Sequence, residues 1–501
     1  MYTYHPQLAF LVVCGVVFAG SAAASAGPAD DQFAVAAGHY SRGRWQWAAD
    51  EFGRYIADFA TDSRQQTDRA LFYRGEALVQ VGKYREAREQ FVEFLERAPH
   101  HEYAKRALFR AAESAYLADD GPIARQALRR FRQTYPTDDL LQFVLPYLGE
   151  LTFESGDTAA AQQIYVDALS RFPAGPLAEE CQYGLGRALQ QQGDVDAATR
   201  FFKHLASNPK TKRAEDAQLQ LGVMQYNAGR YAEASKTLAA FEAAFVGSDL
   251  TGNALFWQGM SCTAMKRWPE AVSAFAEATE RVDPELLPEA IFYTAQARVG
   301  AGQYDQAIPH YERILATWPE GPLADDAALG KLRALFLEGR HDAVQVQAVR
   351  FRVEFSQSPL RSQMQRLTGR SLLALGKYGP AVIVFRQLVD SHQQSSDKYL
   401  LAVAHLGASQ PAAAVTALDG IPLGDSEQDF TDAVLVARAS ALMSLKRYTE
   451  AVEPLGAYLK SQPDGRDAAD CRSELAIALA ATNRLELART AYAEYADRQT
   501  N

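Results

Sequence analysis

Gly82-Lys83 heads the stretch GKYREAREQF, and a glycine–lysine pair can begin phosphate chemistry when the right residues surround it. A phosphate-binding loop reads G-x-x-x-x-G-K-[ST]: backbone N–H groups cradle the phosphates, the lysine reaches their outer oxygens, and the hydroxyl holds magnesium. Here Lys83 and Lys377 are each followed by tyrosine and Lys331 by leucine, so the hydroxyl ligand is missing at all three. The glycines read instead as helix breakers and the lysines as solvated side chains. The nine histidines include no H-E-x-x-H pair. Their one cluster, His100-His101-Glu102, follows Pro99 and reads as an exposed polar turn rather than a metal site. No G-x-S-x-G elbow exists to expose a nucleophilic serine. Cys181, Cys262 and Cys471 are far apart, without a C-x-x-C pair or a neighbouring histidine, so they read as small buried apolar residues. Neither a catalytic cluster, a metal, a cofactor nor a small-molecule substrate is expected.

Composition narrows the remaining classes. A chain of 501 residues exceeds what one core usually holds, so it contains several domains or grows in one dimension. Hydrophobic residues at 48% and charged residues at 22% are ordinary for a folded protein. A net charge of −10 disfavours nonspecific binding to nucleic acid or anionic lipid. Residues 1–26 read as an export signal: Leu8 to Ala19 is apolar or small, and Ala24-Ser25-Ala26 supplies a small-residue cleavage pattern before Gly27-Pro28. The preceding MYTYHPQ lacks lysine and arginine, which leaves an uncleaved N-terminal anchor as the rival. Lipidation at Cys14 is disfavoured because Val13 is too large for the position before a lipidated cysteine. Contact with a membrane is expected only through such an uncleaved or lipidated N-terminus.

What must position any functional residue is a repeat. Gly82-Lys83-Tyr84 with Ala87 and Phe91 recurs as Gly229-Arg230-Tyr231 with Ala234 and Leu238, and as Gly376-Lys377-Tyr378 with Ala381 and Phe385. Following the alanine gives Ala48, Ala87, Ala124, Ala161, Ala198, Ala234, Ala271, Ala307, Ala343, Ala381, a degenerate Ala414, Ala451 and Ala488, mostly 36 or 37 residues apart. A fixed period in that range marks a solenoid. Each period holds two helical patterns. Leu71, Gly75 and Leu78 share a face of the first helix, and Ala87, Phe91 and Phe94 a face of the second. Proline closes the unit at Pro99, Pro136, Pro173, Pro209, Pro319 and Pro463. Gly75, Gly149, Gly186, Gly222, Gly259 and Gly369 leave room for the second helix to approach.

This pattern resembles the tetratricopeptide repeat over roughly Phe33 to Arg498. The resemblance implies an all-α fold, a right-handed superhelical solenoid of about thirteen helix-turn-helix units that bind proteins. The period is longer than the usual 34 residues. The expected organisation is a signal peptide at 1–26, ten repeats over 33–391, a degenerate repeat or joint at 392–430 containing DGIPLGDSEQDF, and two repeats over 431–498. WPEGPLADDA, FPAGPLAEE and QPDGRDAAD are similar in style to bacterial periplasmic members of the family, those related to the Tol–Pal accessory protein and to the outer-membrane assembly lipoprotein. The resemblance therefore implies a non-catalytic scaffold of the cell envelope, periplasmic or membrane-anchored, with a protein or peptide partner.

In such a solenoid the first (A) helices line the groove. One groove-facing position holds Phe72, Phe109, Tyr183, Phe256 and Phe292; four residues later come Glu76, Glu113, Glu150, Arg187 and Arg370; one turn further come Tyr116, Phe153 and Tyr226. Two readings stay open. Either the rings anchor a partner, so that replacing Phe109 and Phe256 weakens capture and spares melting, or they complete packing between A helices. The repeated Lys/Asn pattern that some family members use to clamp a C-terminal carboxylate is missing, so that ligand is not expected.

Overall fold

The structure, a computed structural model, describes residues 27–59, 64–422 and 428–499. The expected export segment, 1–26, lies outside them. Gly82 shows how one repeat is made. Helix Arg64–Gln80 ends where Gly82 turns left-handed, at φ 77°. The Gly82 N–H donates to the Val79 carbonyl at 3.1 Å and the Lys83 N–H to that of Leu78 at 3.0 Å. These two bonds satisfy carbonyls that a helix end would otherwise leave without partners. Helix Tyr84–Arg97 then packs back on the first.

The same left-handed residue recurs between the two helices of every pair. It is glycine from Gly43 to Gly376 in most of them, but Asp119, Lys266, Ser409, Lys446 and Asn483 in five. This explains why the glycine signal fades along the sequence although the turn persists. Left-handed backbone strains an ordinary residue by about 1–2 kcal/mol. Glycine's greater freedom in the unfolded chain returns roughly half of that. Lys446→Gly is therefore expected to stabilise the protein by about 0.5–1 kcal/mol, read as a higher urea midpoint.

Twenty-seven helices occur among the described residues, and no strand. They form thirteen pairs, because one second (B) helix is broken into Tyr231–Ala239 and Phe241–Ala244. Fourteen-residue helices joined by short turns, such as Ala104–Leu117 and Gly121–Thr134, account for the long period. Within a pair, a B-helix ring lies on an A-helix glycine. A Cβ on Gly75 would sit 2.7 Å from Phe91, on Gly149 2.5 Å from Tyr165, on Gly259 2.7 Å from Phe275 and on Gly369 2.6 Å from Phe385. Those separations are too short for any side chain, so the glycines set the distance between helices. Ala87, Ala124, Ala161 and Ala198 close the contact from the other side and are fully buried.

The degenerate eleventh repeat is also a helix pair, Ser395–Gly407 and Pro411–Asp419, with its B helix cut to nine residues. Contacts divide the chain into two compact units between Met224 and Gln225, inside helix Ala214–Asn227 and upstream of the expected joint at 392–430. No helix among the described residues is long and apolar enough to cross a membrane. Cys181, Cys262 and Cys471 are free and buried, and burial pushes the Cys181 and Cys471 thiols up to about 12. Burial denies a reagent access to all three, and Cys181 and Cys471 also carry little thiolate at pH 8, so the cysteines should react with a thiol-specific reagent far more slowly in the folded protein than in urea. Rapid labelling of the native chain would contradict that packing.

Candidate functional site

In the first unit the expected groove residues divide into two groups. Phe72 and Phe109 are 0% and 4% exposed. Phe72 packs against Phe91 at 5.8 Å and Tyr103 at 4.7 Å, and Phe109 against Phe131 at 6.2 Å. Their role as partner anchors is corrected: they are core side chains without a surface to offer. Glu76 and Glu113 are also corrected, being 2% and 5% exposed. Arg110, buried between them, donates from Nε and Nη2 to the two oxygens of Glu76 at 2.9 and 3.0 Å and from Nη1 to Glu113 at 2.5 Å. Arg106 approaches Glu76 at 3.3 Å. Burial raises the Glu113 carboxyl above its ordinary value although Arg110 pulls it down, and its second oxygen has no partner.

The other group converges on a small pocket. Glu150 accepts from the Tyr165 hydroxyl at 2.9 Å and from Arg187 at 2.8 Å. The Arg187 guanidinium lies 4.3 Å over Phe153 and 5.9 Å from Tyr183, whose ring also faces Arg213 at 5.2 Å. Tyr116 meets Tyr147 edge to face at 4.9 Å, and burial pushes the Tyr116 phenol up to about 12. Tyr116, Glu150, Tyr183 and Arg187 thus share one half-buried site, already filled by their mutual contacts.

The second unit offers more open space. Phe256 and Phe292 are 5% and 7% exposed and pack on Phe275 and Tyr311, so they too are corrected to core rings. Tyr226 is half-buried against Tyr231 and Trp257, each at 5.3 Å. Helices Leu287–Gly300, Ala324–Leu337 and Arg361–Ala374 line an open groove of about 840 Å³. Leu329, Val299 and Leu367 form half-buried apolar floor, with Trp268 and Tyr304 beside them. Exposed Gln296, Arg333, Gln363 and Arg370 stand along it. Arg366 is engaged by fully buried Asp397 at 2.8 and 2.9 Å. Arg370 stacks 4.9 Å over Phe336. Neither Arg333 nor Arg370 makes a hydrogen bond or ion pair with another described residue.

The sequence model of the tetratricopeptide repeat matches residues 74–139, 148–210, 213–285, 294–343 and 436–501, more than half of the chain. The chain belongs to the tetratricopeptide repeat family. No curated protein matches it. Among solved structures, this tetratricopeptide repeat protein is similar to one from Parabacteroides merdae, at 14% identity and TM-score 0.35 over 60% of this chain and 98% of that one. It is similar to the C-terminal part of a repeat protein from Cytophaga hutchinsonii, at 18% identity and TM-score 0.42 over 51% and 98%. It is also similar to pilF of Pseudomonas aeruginosa, at 16% and 0.36 over 46% and 98%.

The tetratricopeptide register relates these residues to one another. The tenth residue of successive A helices is Glu113, Glu150, Arg187, Val223, Met260, Gln296, Arg333 and Arg370. Sequence reasoning named Arg187 and Arg370 but missed Arg333, which the same register locates 37 residues before Arg370. It also missed Gln296 and Gln363, whose side chains carry no apolar or acidic signal. The sixth position, aromatic at Phe109, Tyr183, Phe256 and Phe292, becomes Leu329 and then Arg366. The groove opens where those rings stop.

Proposed function

We propose that the chain is a non-catalytic protein-binding scaffold of the bacterial cell envelope that holds a partner in the groove of its second unit. Family membership supports protein binding as the general activity. The groove carries the specific reading, because it leaves polar and cationic side chains without internal partners while the rings once expected to bind are committed to the core. Recognition, not turnover, is what such a surface performs: apolar floor for contact area and polar edges for orientation. Export rests on residues 1–26 and on the envelope style of the inter-repeat turns.

A photo-crosslinking residue at position 296 or 363, in cells, is expected to capture a defined protein. The same residue at exposed position 350, on helix His341–Glu354, should not. Absence of capture from both groove positions would end the groove reading. The mature N-terminus tests the compartment separately. A start at Gly27 in the soluble fraction is expected; an intact or lipidated terminus in the membrane fraction would instead make the protein an anchored component of an envelope assembly.

A further inference from the structure

Resting on that reading of the groove, we infer that its partner is an extended, carboxylate-rich protein segment, read by Arg333 and Arg370 on adjacent A helices. Both guanidinium groups are exposed, line the same cavity and lack an internal acid, whereas the third arginine there, Arg366, is neutralised by Asp397. Asp326 is the single carboxylate among the lining residues. The open charge of the groove is therefore cationic in a chain whose net charge is −10, which makes this a local attraction rather than a general one.

Guanidinium suits carboxylate because its planar fork donates two parallel hydrogen bonds. The Phe336 ring under Arg370 restricts where that fork can point, so less freedom is lost on binding. Adjacent packed helices lie about 8–10 Å apart, and an extended chain advances about 3.3 Å per residue. Carboxylates about three residues apart therefore reach the two arginines in turn. Gln296 and Gln363 can meet the intervening backbone, and Leu329 with Leu367 the apolar side chains between the acids. This is recognition of side-chain carboxylates along a segment, distinct from capture of a chain terminus.

The test uses the full chain and a fluorescein-labelled 15-residue peptide with glutamate at every third position among glycine, alanine and tyrosine. Sister peptides carry glutamine or lysine at those positions, and a 15-nucleotide oligothymidine serves as the anionic non-peptide probe. Fluorescence anisotropy at low salt is expected to show the glutamate peptide binding about ten-fold or more tightly than the glutamine peptide. That advantage should shrink in high salt. Arg333→Glu with Arg370→Glu should abolish it, while Arg350→Glu, an equal change of charge outside the groove, should leave it intact. Both groove arginines are exposed, so folding of the double variant is expected and is checked by its melting curve. Equal affinity for the glutamine peptide, indifference to the groove reversal, or tighter binding of oligothymidine overturns the assignment. Any of these leaves the scaffold reading to the crosslinking experiment, where capture of a neutral or basic segment would support the scaffold and overturn the acidic partner.

Discussion

Replacing Phe109 and Phe256 by alanine is expected to cost roughly 3–5 kcal/mol at each ring, because each substitution empties a packed site that neighbouring helices cannot collapse into. Phe109 fills the space between Phe131 and Phe143, and Phe256 that between Phe275 and Tyr293. The two rings belong to different compact units and share no packing partner, so the two losses should add. Urea titrations followed by circular dichroism would show a lowered midpoint in each single variant and both effects in the double one. Melting that stays within a degree or two of the parent would show instead that the rings face solvent. Loss of partner binding in such variants would follow from loss of the frame and says nothing of a direct contact.

Arg110→Met is expected to be nearly as damaging, by about 3–5 kcal/mol, because it leaves the buried carboxylates of Glu76 and Glu113 without their shared cation. The pH dependence gives a second readout. The folded carboxyl of Glu113 titrates above its unfolded value, because burial outweighs the pull of Arg110. Such a group favours the folded state below the unfolded value and withdraws that contribution as the pH rises through the raised one. Without Arg110 the raised value moves higher still. The deficit of Arg110→Met should therefore shrink between pH 7 and pH 5, and adding Glu113→Gln should recover part of it at pH 7. A deficit independent of pH, and unrelieved by Glu113→Gln, would mean that the loss comes from packing alone.

The frame of this protein was legible from its sequence because it is written many times. Gly75 under Phe91, repeated as Gly149 under Tyr165 and Gly369 under Phe385, is a short-range steric requirement that one repeat cannot relax without losing its neighbour. Even turns that lack glycine, such as those at Lys266 and Lys446, keep their place because the surrounding alanine and tyrosine or tryptophan pattern keeps theirs. The residues of the candidate groove were harder to find. An aromatic residue at a groove-facing position has the same periodicity whether it meets a partner or the next helix, and only burial separates Phe109 from a free anchor. Glu76 and Glu113 read as a row of surface acids because Arg110, which takes both, lies outside the row. Arg333 was within reach of the register, 37 residues before Arg370. Its lack of an acid is a fact of three dimensions that no spacing encodes.

In helices Leu287–Gly300, Ala324–Leu337 and Arg361–Ala374 the tenth residue, Gln296, Arg333 and Arg370, is exposed and lies outside the glycine-on-ring contact that fixes the repeat. There it can be an amide or a cation without disturbing the frame, whereas the same place is a buried acid held by Arg110 at Glu113 and a cation held by Glu150 at Arg187. The scaffold thereby separates its grammar from its vocabulary. Where that site is open, one codon rewrites what the surface says and leaves the frame as it was; where it is buried, as at Glu113, the two can no longer be changed apart.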